Sequence, residues 1–320
     1  MNGTPTASAL SYSFNTAPIV LAECIFGALA NSLLLIIIIR DPMRNLRKRA
    51  CLTIANLALA DLISNIGGIG LCFYDYESRL DPANFWSVKS FYATVHIGFT
   101  ASFLMLLLLS VEVYIVTKHP LTAHLVLTRR KTLFAISVLW FAAIIVASSN
   151  FWTEEYPFTV LSVVLCVFQI CVMAVLVFRI LVILNMRKNR RELSQLMPAG
   201  SQNDNGLTVT FLLLFVVFLV TAFPYLVAEQ VHFLYHIKPE WNISFNHDVI
   251  TYTIPLMHIN YVINPLIYAY RMPDYRKGLI ALFTCRKRAQ VNTPRTPVSD
   301  KATSRTFTVN SASHDNSIQV

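Results

Sequence analysis

Charged side chains are scarce in this chain, at 13% of 320 residues, whereas apolar residues make up 55%. This balance excludes an ordinary soluble domain and predicts a membrane protein that forms a single domain. The net charge of +9 does not require a nucleic acid partner, because the basic residues cluster in short segments between apolar stretches. Residues in such segments set membrane topology and face anionic headgroups, so we expect membrane lipids, and no nucleic acid, as partners.

The chain also lacks marks of several other protein classes. Its first residues have no basic run before an apolar stretch, so no cleavable signal peptide is predicted. It has no serine–histidine–acid set, metal motif or phosphate-binding loop, so no enzyme is predicted. Inverted repeats, a usual mark of secondary transporters, are absent as well. None of the six cysteines falls in a predicted outer loop, so we expect no loop disulfide.

Long apolar stretches are abundant and predict the fold. Seven of them are long enough to cross a hydrocarbon core of about 30 Å as a helix. We predict an all-α membrane protein, a seven-transmembrane helix bundle at 17–270 that follows an N-terminal segment at 1–16. A short amphipathic eighth helix on the membrane surface is predicted at 271–285, and a disordered tail at 286–320. The seven stretches are 17–39, 51–74, 92–117, 132–152, 158–184, 207–235 and 249–270.

The segments between these stretches alternate in charge. Basic residues such as Arg47 and Lys188 fill the first, third and fifth connections, and acidic residues such as Glu154 lie in the others. The excess of Lys and Arg on one side predicts a multi-pass plasma-membrane protein with an extracellular N-terminus and a cytoplasmic C-terminus. Two sequons fall on the predicted outer side and are candidates for glycosylation, at Asn2 and Asn242.

The seventh stretch contains polar residues that apolar packing does not require. His258, Asn260 and Asn264 lie within it, and Pro265 and Tyr268 follow. Amides in hydrocarbon need partners, and a proline inside a membrane helix weakens it locally. The order Asn-Pro-x-x-Tyr before Arg-Met-Pro-Asp-Tyr resembles the rhodopsin-like (class A) G-protein-coupled receptors, and the resemblance covers about 17–285. It implies a cell-surface receptor for an extracellular small molecule or peptide, which signals through a heterotrimeric G protein and arrestin.

The resemblance also implies which residues contact the G protein or change conformation on activation. They are Glu112, Val113, Tyr114, Pro120, Leu121, Pro224, Pro265 and Tyr268. This chain departs from the family at Val113, where the family has an arginine, and before Pro224, where the usual cysteine and tryptophan are missing. The missing loop disulfide and the proline-free fifth stretch are similar to the melanocortin and adenosine branch.

Polar residues in four positions predict a buried cation site. A carboxylate near mid-membrane costs about 2.5–3.5 kcal/mol on insertion scales, so Asp61 needs partners or a cation. Carboxylate, hydroxyl and amide oxygens suit a hard cation. In the resembled family the matching positions hold an allosteric sodium ion, and here they are Asp61, Ser102, Asn260 and Asn264. The alternative is a hydrogen-bonded polar plug that only fixes the packing of the helices.

Ionisable and aromatic residues in the outer half of the predicted bundle are the candidates for ligand binding. They are Glu23, His96, Phe99, Tyr225, Glu229 and His258. His258 matches a histidine that adenosine receptors place beside their ligand, and Glu23 is predicted at a comparable depth. A purely structural Glu23–His258 pair is the alternative. The acidic residues favour a cationic or neutral polar ligand.

The C-terminal region suggests further partners. Cys285 precedes a basic run and is a candidate for palmitoylation, although a buried thiol is as good an interpretation. The tail is rich in serine and threonine for arrestin, and its apolar end at Val320 suits a PDZ groove. Two other functions remain open. One is an atypical receptor with weak G-protein coupling, and the other is a seven-helix ion or proton transporter.

Overall fold

The computed structural model describes residues 16–40, 49–78, 85–119, 122–152, 157–196, 205–237 and 247–283. The sequence predictions for Pro120 and Leu121, for the sequons at Asn2 and Asn242, for Cys285 and for the tail at 286–320 lie outside these residues.

Helices account for almost all of the described chain. In order they are α1 Ala17–Arg40, α2 Arg49–Ser78, α3 Phe85–Lys118, α4 Ala123–Val126, α5 Arg129–Trp152, α6 Pro157–Leu196, α7 Asn205–Thr221, α8 Phe223–Ile237, α9 His247–Arg271 and α10 Pro273–Phe283. α10 is the predicted surface helix, and the four-residue α4 was not predicted. The ends of α1, α3 and the start of α5 carry Arg40, Lys118 and Arg129, and we call this end of the bundle the basic end.

Six spans in the described chain are long and apolar enough to cross a bilayer. They lie in α1, α2, α3, α5, α6 and the joined pair α7–α8. The seventh predicted span, α9, has 25 residues but contains two prolines and several polar side chains, which lower its hydropathy. Its place in the bundle follows from packing, because α9 lies against α1, α2, α7 and α8.

Two helices extend beyond the predicted spans. α3 begins at Phe85 rather than near Tyr92, and Lys89 Nζ lies 5.5 Å from the centroid of the Trp86 ring in the added turns. α6 continues to Leu196 through a polar segment rich in Lys, Arg, Glu and Leu. Those residues are good helix formers, so the helix continues where its apolar character ends. Hydropathy marks only the part of a helix that crosses the membrane.

The sixth predicted span is interrupted between α7 and α8 at Ala222. Pro224 has no N–H, so the carbonyl of Val220 loses its usual helical partner. Thr221 Oγ1 donates to Val217 O at 2.8 Å, which also tends to bend a helix. Regular backbone bonds resume when Leu226 N donates to Ala222 O at 3.2 Å. The helix is thus interrupted at a single residue, Ala222, two residues before the proline at which the sequence predicts a kink.

The third helix is the centre of the bundle. α3 contacts α2, α5, α6 and α7, while α1 packs between α2 and α9. Gly98 of α3 allows a close approach, since an added Cβ would lie 2.5 Å from the backbone oxygen of Ala60 on α2. Apolar side chains such as Phe26, Phe134 and Ile170 remain exposed on the outer surface, as expected for contact with lipid. The buried interior contains an apolar core together with polar residues such as Asp61 and Asn264.

Candidate functional site

Asp61 lies at the centre of a polar cluster that joins three helices. Its side chain on α2 is completely buried. Ser102 on α3 donates to Oδ1 at 2.5 Å, and Asn264 Nδ2 on α9 donates to Oδ2 at 2.8 Å. Both carboxylate oxygens therefore have a donor, as a buried charge requires. Three of the four residues predicted to form the cation site are in direct contact.

Two further asparagines surround this cluster. Asn65 Nδ2, one turn after Asp61, donates to the Asp61 carbonyl at 2.7 Å. Asn31 Nδ2 on α1 donates to Gly27 O and to Tyr261 O, each at 2.9 Å, and so connects α1 to α9. The sequence analysis did not assign Asn65, although its spacing of four residues from Asp61 placed it on the same helix face.

The oxygen atoms of this region fit a hard cation. Asn260, one turn before Asn264, is buried, and the Oδ1 atoms of both residues have no hydrogen-bond partner among the described residues. The Oδ1 atoms of Asn31 and Asn65 are buried in the same way. Amide oxygens without donors beside a carboxylate are suitable ligands for sodium. The two hydrogen bonds to Asp61 are equally compatible with the polar plug.

Glu23 and His258 face different surroundings. Glu23 lines a crevice of about 480 Å³ between α1 and α9, together with apolar residues that include Phe26 and Ile259. His258 is completely buried, and its Nδ1 lies 2.9 Å from Ile254 O. Its Nε2 would lie 3.3 Å from a Cβ atom added at Gly68 of α2. The structure thus places His258 at the contact with α2, while the residues that line the Glu23 crevice belong to α1 and α9.

The other four ligand candidates lie on two helices. His96 and Phe99 share a face of α3, and the Phe99 ring lies 5.8 Å from that of Phe168 on α6. Tyr225 and Glu229 are one turn apart on α8, and both are almost completely buried. These residues therefore surround the end of the bundle opposite the basic end, above the Asp61 cluster.

A stack of phenylalanines below these residues was not predicted. The Phe103 ring on α3 lies 5.1 Å from that of Phe168 on α6 and 5.2 Å from that of Phe218 on α7. Phe218 lies four residues before the break at Ala222. The spacing of Phe99 and Phe103 predicts one face of α3, but the sequence does not indicate which rings they meet. The stack connects the ligand candidate Phe99 to the interrupted helix through the rings of Phe168, Phe103 and Phe218.

At the basic end, Glu112 is bound by two threonines. Its carboxylate accepts hydrogen bonds from Thr53 Oγ1 on α2 at 3.1 and 3.2 Å and from Thr132 Oγ1 on α5 at 3.4 Å. Val113, the next residue, is buried and apolar. Tyr114 packs against Phe178 of α6, with 5.6 Å between ring centroids. The acidic residue of this segment therefore ties α3 to α2 and α5.

On α9, Pro265 and Tyr268 are both buried at the level where the helix approaches the basic end. The Tyr268 hydroxyl has no hydrogen-bond partner among the described residues. Between α2 and α5, Trp140 Nε1 donates to Asn56 Oδ1 at 3.1 Å. The Trp140–Asn56 bond joins α5 to α2, and the sequence analysis did not predict it.

Comparison with known proteins supports the resemblance seen in the sequence. Residues 30–156 match the family model of the seven-transmembrane receptors of the rhodopsin family. The match covers less than half of the chain, which is therefore similar to this family over that segment. The crystal structure of squid rhodopsin has a similar fold, with a TM-score of 0.69 over 89% of this chain and 88% of that chain at 14% identity. This similarity confirms the predicted seven-helix bundle.

Curated relatives match the chain over only part of their length. The chain is 28% identical to the allatostatin-A receptor of Bombyx mori over 116 residues, which is 36% of this chain and 32% of that receptor. It is 27% identical to the alpha-1D adrenergic receptor of Homo sapiens over 166 residues, 49% of this chain and 28% of that receptor. The chain thus matches less than a third of the length of these relatives. They are receptors rather than enzymes, in agreement with the sequence prediction.

Proposed function

We propose that this chain is a member of the rhodopsin family and a cell-surface receptor that transmits ligand binding to a heterotrimeric G protein and to arrestin. The observation that carries the proposal is the Asp61 cluster, which joins α2, α3 and α9 through two hydrogen bonds. A buried carboxylate within a membrane bundle is expensive and marks functional sites. In the sixth span, the break at Ala222 gives α7 a point about which it can move relative to α8. A hydrogen-bonded polar cluster, together with a helix that can bend at one residue, suits a protein that switches between two states.

The ligand site is proposed at the end opposite the basic end. Glu23, His96, Phe99, Tyr225, Glu229 and His258 are its candidate residues, and the two glutamates favour a cationic or neutral polar ligand. The peptide-receptor and amine-receptor names of the relatives are compatible with a small molecule or a peptide. A position in the melanocortin or adenosine branch is proposed from the sequence features described above. The basic end would then face the cytoplasm, with the N-terminus outside the cell.

A ligand screen with parallel readouts of Gα activation and arrestin recruitment tests this function. Ligands that activate both pathways support the receptor proposal, and arrestin recruitment with little nucleotide exchange supports the atypical alternative. Ligand-independent currents or proton flux without either signal would instead indicate an ion or proton transporter.

Val113 provides a test of how strongly the receptor couples. The residue is buried, and valine offers neither a charge nor a hydrogen-bond donor to a G protein. Val113→Arg is therefore expected to increase nucleotide exchange on Gα about fivefold or more at equal surface expression, which corresponds to a coupling free energy of about 1 kcal/mol. Val116→Arg is the matched control, because that side chain is 48% exposed one turn away. Equal exchange by wild type and Val113→Arg would contradict weak coupling.

The last residue provides a test of a cytoplasmic partner. Ile318 and Val320 have the apolar alternation that an added strand presents to a PDZ groove. Deletion of Val320 is expected to reduce capture of PDZ domains from a purified panel by about tenfold, because the terminal side chain and carboxylate shift by one position. Gln319→Ala should have little effect. Capture that does not change on deletion would refute the PDZ partner. Phosphorylation of the tail, palmitoylation at Cys285 and glycosylation at Asn2 and Asn242 are proposed alongside it.

A further inference from the structure

Arg179 on α6 is a buried cation for which the function described so far has no use. Only 2% of its surface is exposed, and it is the largest of the fully buried side chains. Its three guanidinium nitrogens have no hydrogen-bond partner among the described residues. Arginine carries five N–H donors and does not lose its charge under ordinary conditions. The bundle therefore encloses a full positive charge and leaves its directional bonding capacity unused.

The groups around Arg179 belong to the helices that meet at the basic end. Its Cζ lies 5.8 Å from the centroid of the Phe215 ring on α7, a cation–π contact. Tyr268 on α9 lies close enough to interact with it electrostatically, and the Tyr268 hydroxyl also has no hydrogen-bond partner among the described residues. Glu112, the buried acid of α3, accepts bonds from Thr53 and Thr132 on the α2 and α5 side.

This arrangement stores free energy. Transfer of a guanidinium into a poorly hydrated interior is unfavourable, and one cation–π contact offsets only part of that cost. A buried charge of this kind is stable when it gains an oxygen ligand in a bidentate geometry, for which the guanidinium is well suited. Among the oxygen ligands that a protein segment supplies, carboxylate is the one that both accepts a bidentate bond and neutralises the charge. The bundle as described thus contains a buried cation that lacks a hydrogen-bonded anion among the described residues.

The break at Ala222 provides a way for a carboxylate to reach Arg179. Phe215 covers the guanidinium and lies nine residues before Pro224, about 13 Å along the helix at 1.5 Å per residue. A change of about 20° at the break would move Phe215 sideways by about 5 Å, which is more than the thickness of an aromatic ring. Outward movement of α7 would therefore uncover Arg179 between α6 and α9.

We propose that Arg179, together with the Tyr268 hydroxyl, forms a carboxylate-binding site for an acidic segment of the cytoplasmic partner protein. The inference rests on the proposed function, since it requires a partner that docks at the basic end. In the closed bundle the site is covered by Phe215. When α7 moves outward, the guanidinium forms a bidentate ion pair with the partner's carboxylate, and this pair stabilises the open bundle. α6 thereby supplies a cation to a cavity in which Val113 of α3 offers none.

Arg179→Met tests the site, because methionine fills a similar space without the charge. The receptor in lipid nanodiscs is assayed for melting temperature and for binding to a panel of purified heterotrimeric G proteins and arrestins. Removal of an unpaired buried charge is expected to raise the melting temperature by about 3 °C or more. Partner binding is expected to fall about tenfold or more, with partial rescue by Arg179→Lys. Arg187→Met removes an exposed charge from the same helix and should change neither quantity by a comparable amount.

The carboxylate is identified by a double-mutant cycle with the partner that binds. Each acidic residue in its docking segment is replaced by the corresponding amide, and one replacement should weaken wild-type binding about tenfold without further weakening Arg179→Met. A wild type that binds no member of the panel overturns both this inference and the proposed function. A wild type that binds, with Arg179→Met binding equally well, overturns the inference alone. A lower melting temperature in Arg179→Met also overturns it, because Arg179 would then be a structural residue.

Discussion

Gly98→Ala is expected to leave little folded protein in the membrane. A Cβ atom at this position would lie 2.5 Å from Ala60 O, from Ser64 N and from Ser64 Oγ. Two of these atoms belong to the backbone of α2 and cannot turn aside. Overpacking in a rigid interior typically costs about 1–3 kcal/mol, and a clash with backbone atoms belongs at or above the upper end of that range. The free energy of unfolding should therefore fall by about 3 kcal/mol.

The damage should extend to the polar cluster, because the same pair of helices holds it. Separation of α2 from α3 would lengthen the Ser102–Asp61 hydrogen bond and the 3.2 Å bond from Ser64 Oγ to Val95 O. Surface expression and the melting temperature of the solubilised receptor measure the effect. Gly70→Ala is the graded control, since the atoms that its Cβ would meet belong to the partly exposed ring of Phe91, which can rotate. An unchanged melting temperature for Gly98→Ala would contradict the close approach of α2 and α3.

Asp61→Asn is expected to abolish the response of the receptor to sodium. With sodium at about ten times its dissociation constant, the bound ion would stabilise the wild type by about 1.4 kcal/mol. This corresponds to a rise in melting temperature of a few degrees when sodium replaces choline at constant ionic strength. The asparagine side chain has the same size but lacks the negative charge that a cation needs. Sodium should also weaken agonist binding to the wild type but not to the variant.

The control for this experiment is Ser102→Ala, which keeps the carboxylate and removes one oxygen ligand. It should reduce the sodium response without eliminating it. Asp61→Asn could lower the melting temperature and yet keep the wild-type difference in melting temperature between sodium and choline. In that case the cluster is a polar plug, and the prediction of a sodium site is wrong. Because the measurement requires no agonist, it can precede identification of the ligand.

The sequence predicted the contacts of Asp61 well, because a buried carboxylate needs partners and the helical period shows which residues share a face. An aspartate inside an apolar stretch needs partners, and asparagines four residues apart share a helix face, so the contact of Asp61 with Asn264 could be expected. The interruption at Ala222 lies beside Pro224, whose missing N–H weakens the helix there. In each case the cause lies within one helix, or in a group whose burial alone imposes a requirement.

Other features depend on neighbours that are distant in sequence and could not be predicted. Arg179 lies in an apolar stretch, where a single basic residue suggests a side chain that reaches the headgroups. Only the packing of Phe215 above it shows that it points inward. Similarly, His258 matched a ligand-binding position in sequence, but its contact with Gly68 depends on how closely α9 approaches α2. The polar residues of α9 lower its mean hydropathy, but they face other helices rather than lipid.

The hydrogen bonds of Glu112 set the two sides of α3 apart. Thr53 and Thr132 fasten the basic end of α3 to α2 and α5, and the Trp140–Asn56 bond holds those two helices together. By contrast, α3 meets α6 and α7 through phenylalanine rings, which can slide without the loss of a directional bond. In the proposed receptor we therefore expect α6 and α7 to move on ligand binding, with the helices around Glu112 as the frame against which they move.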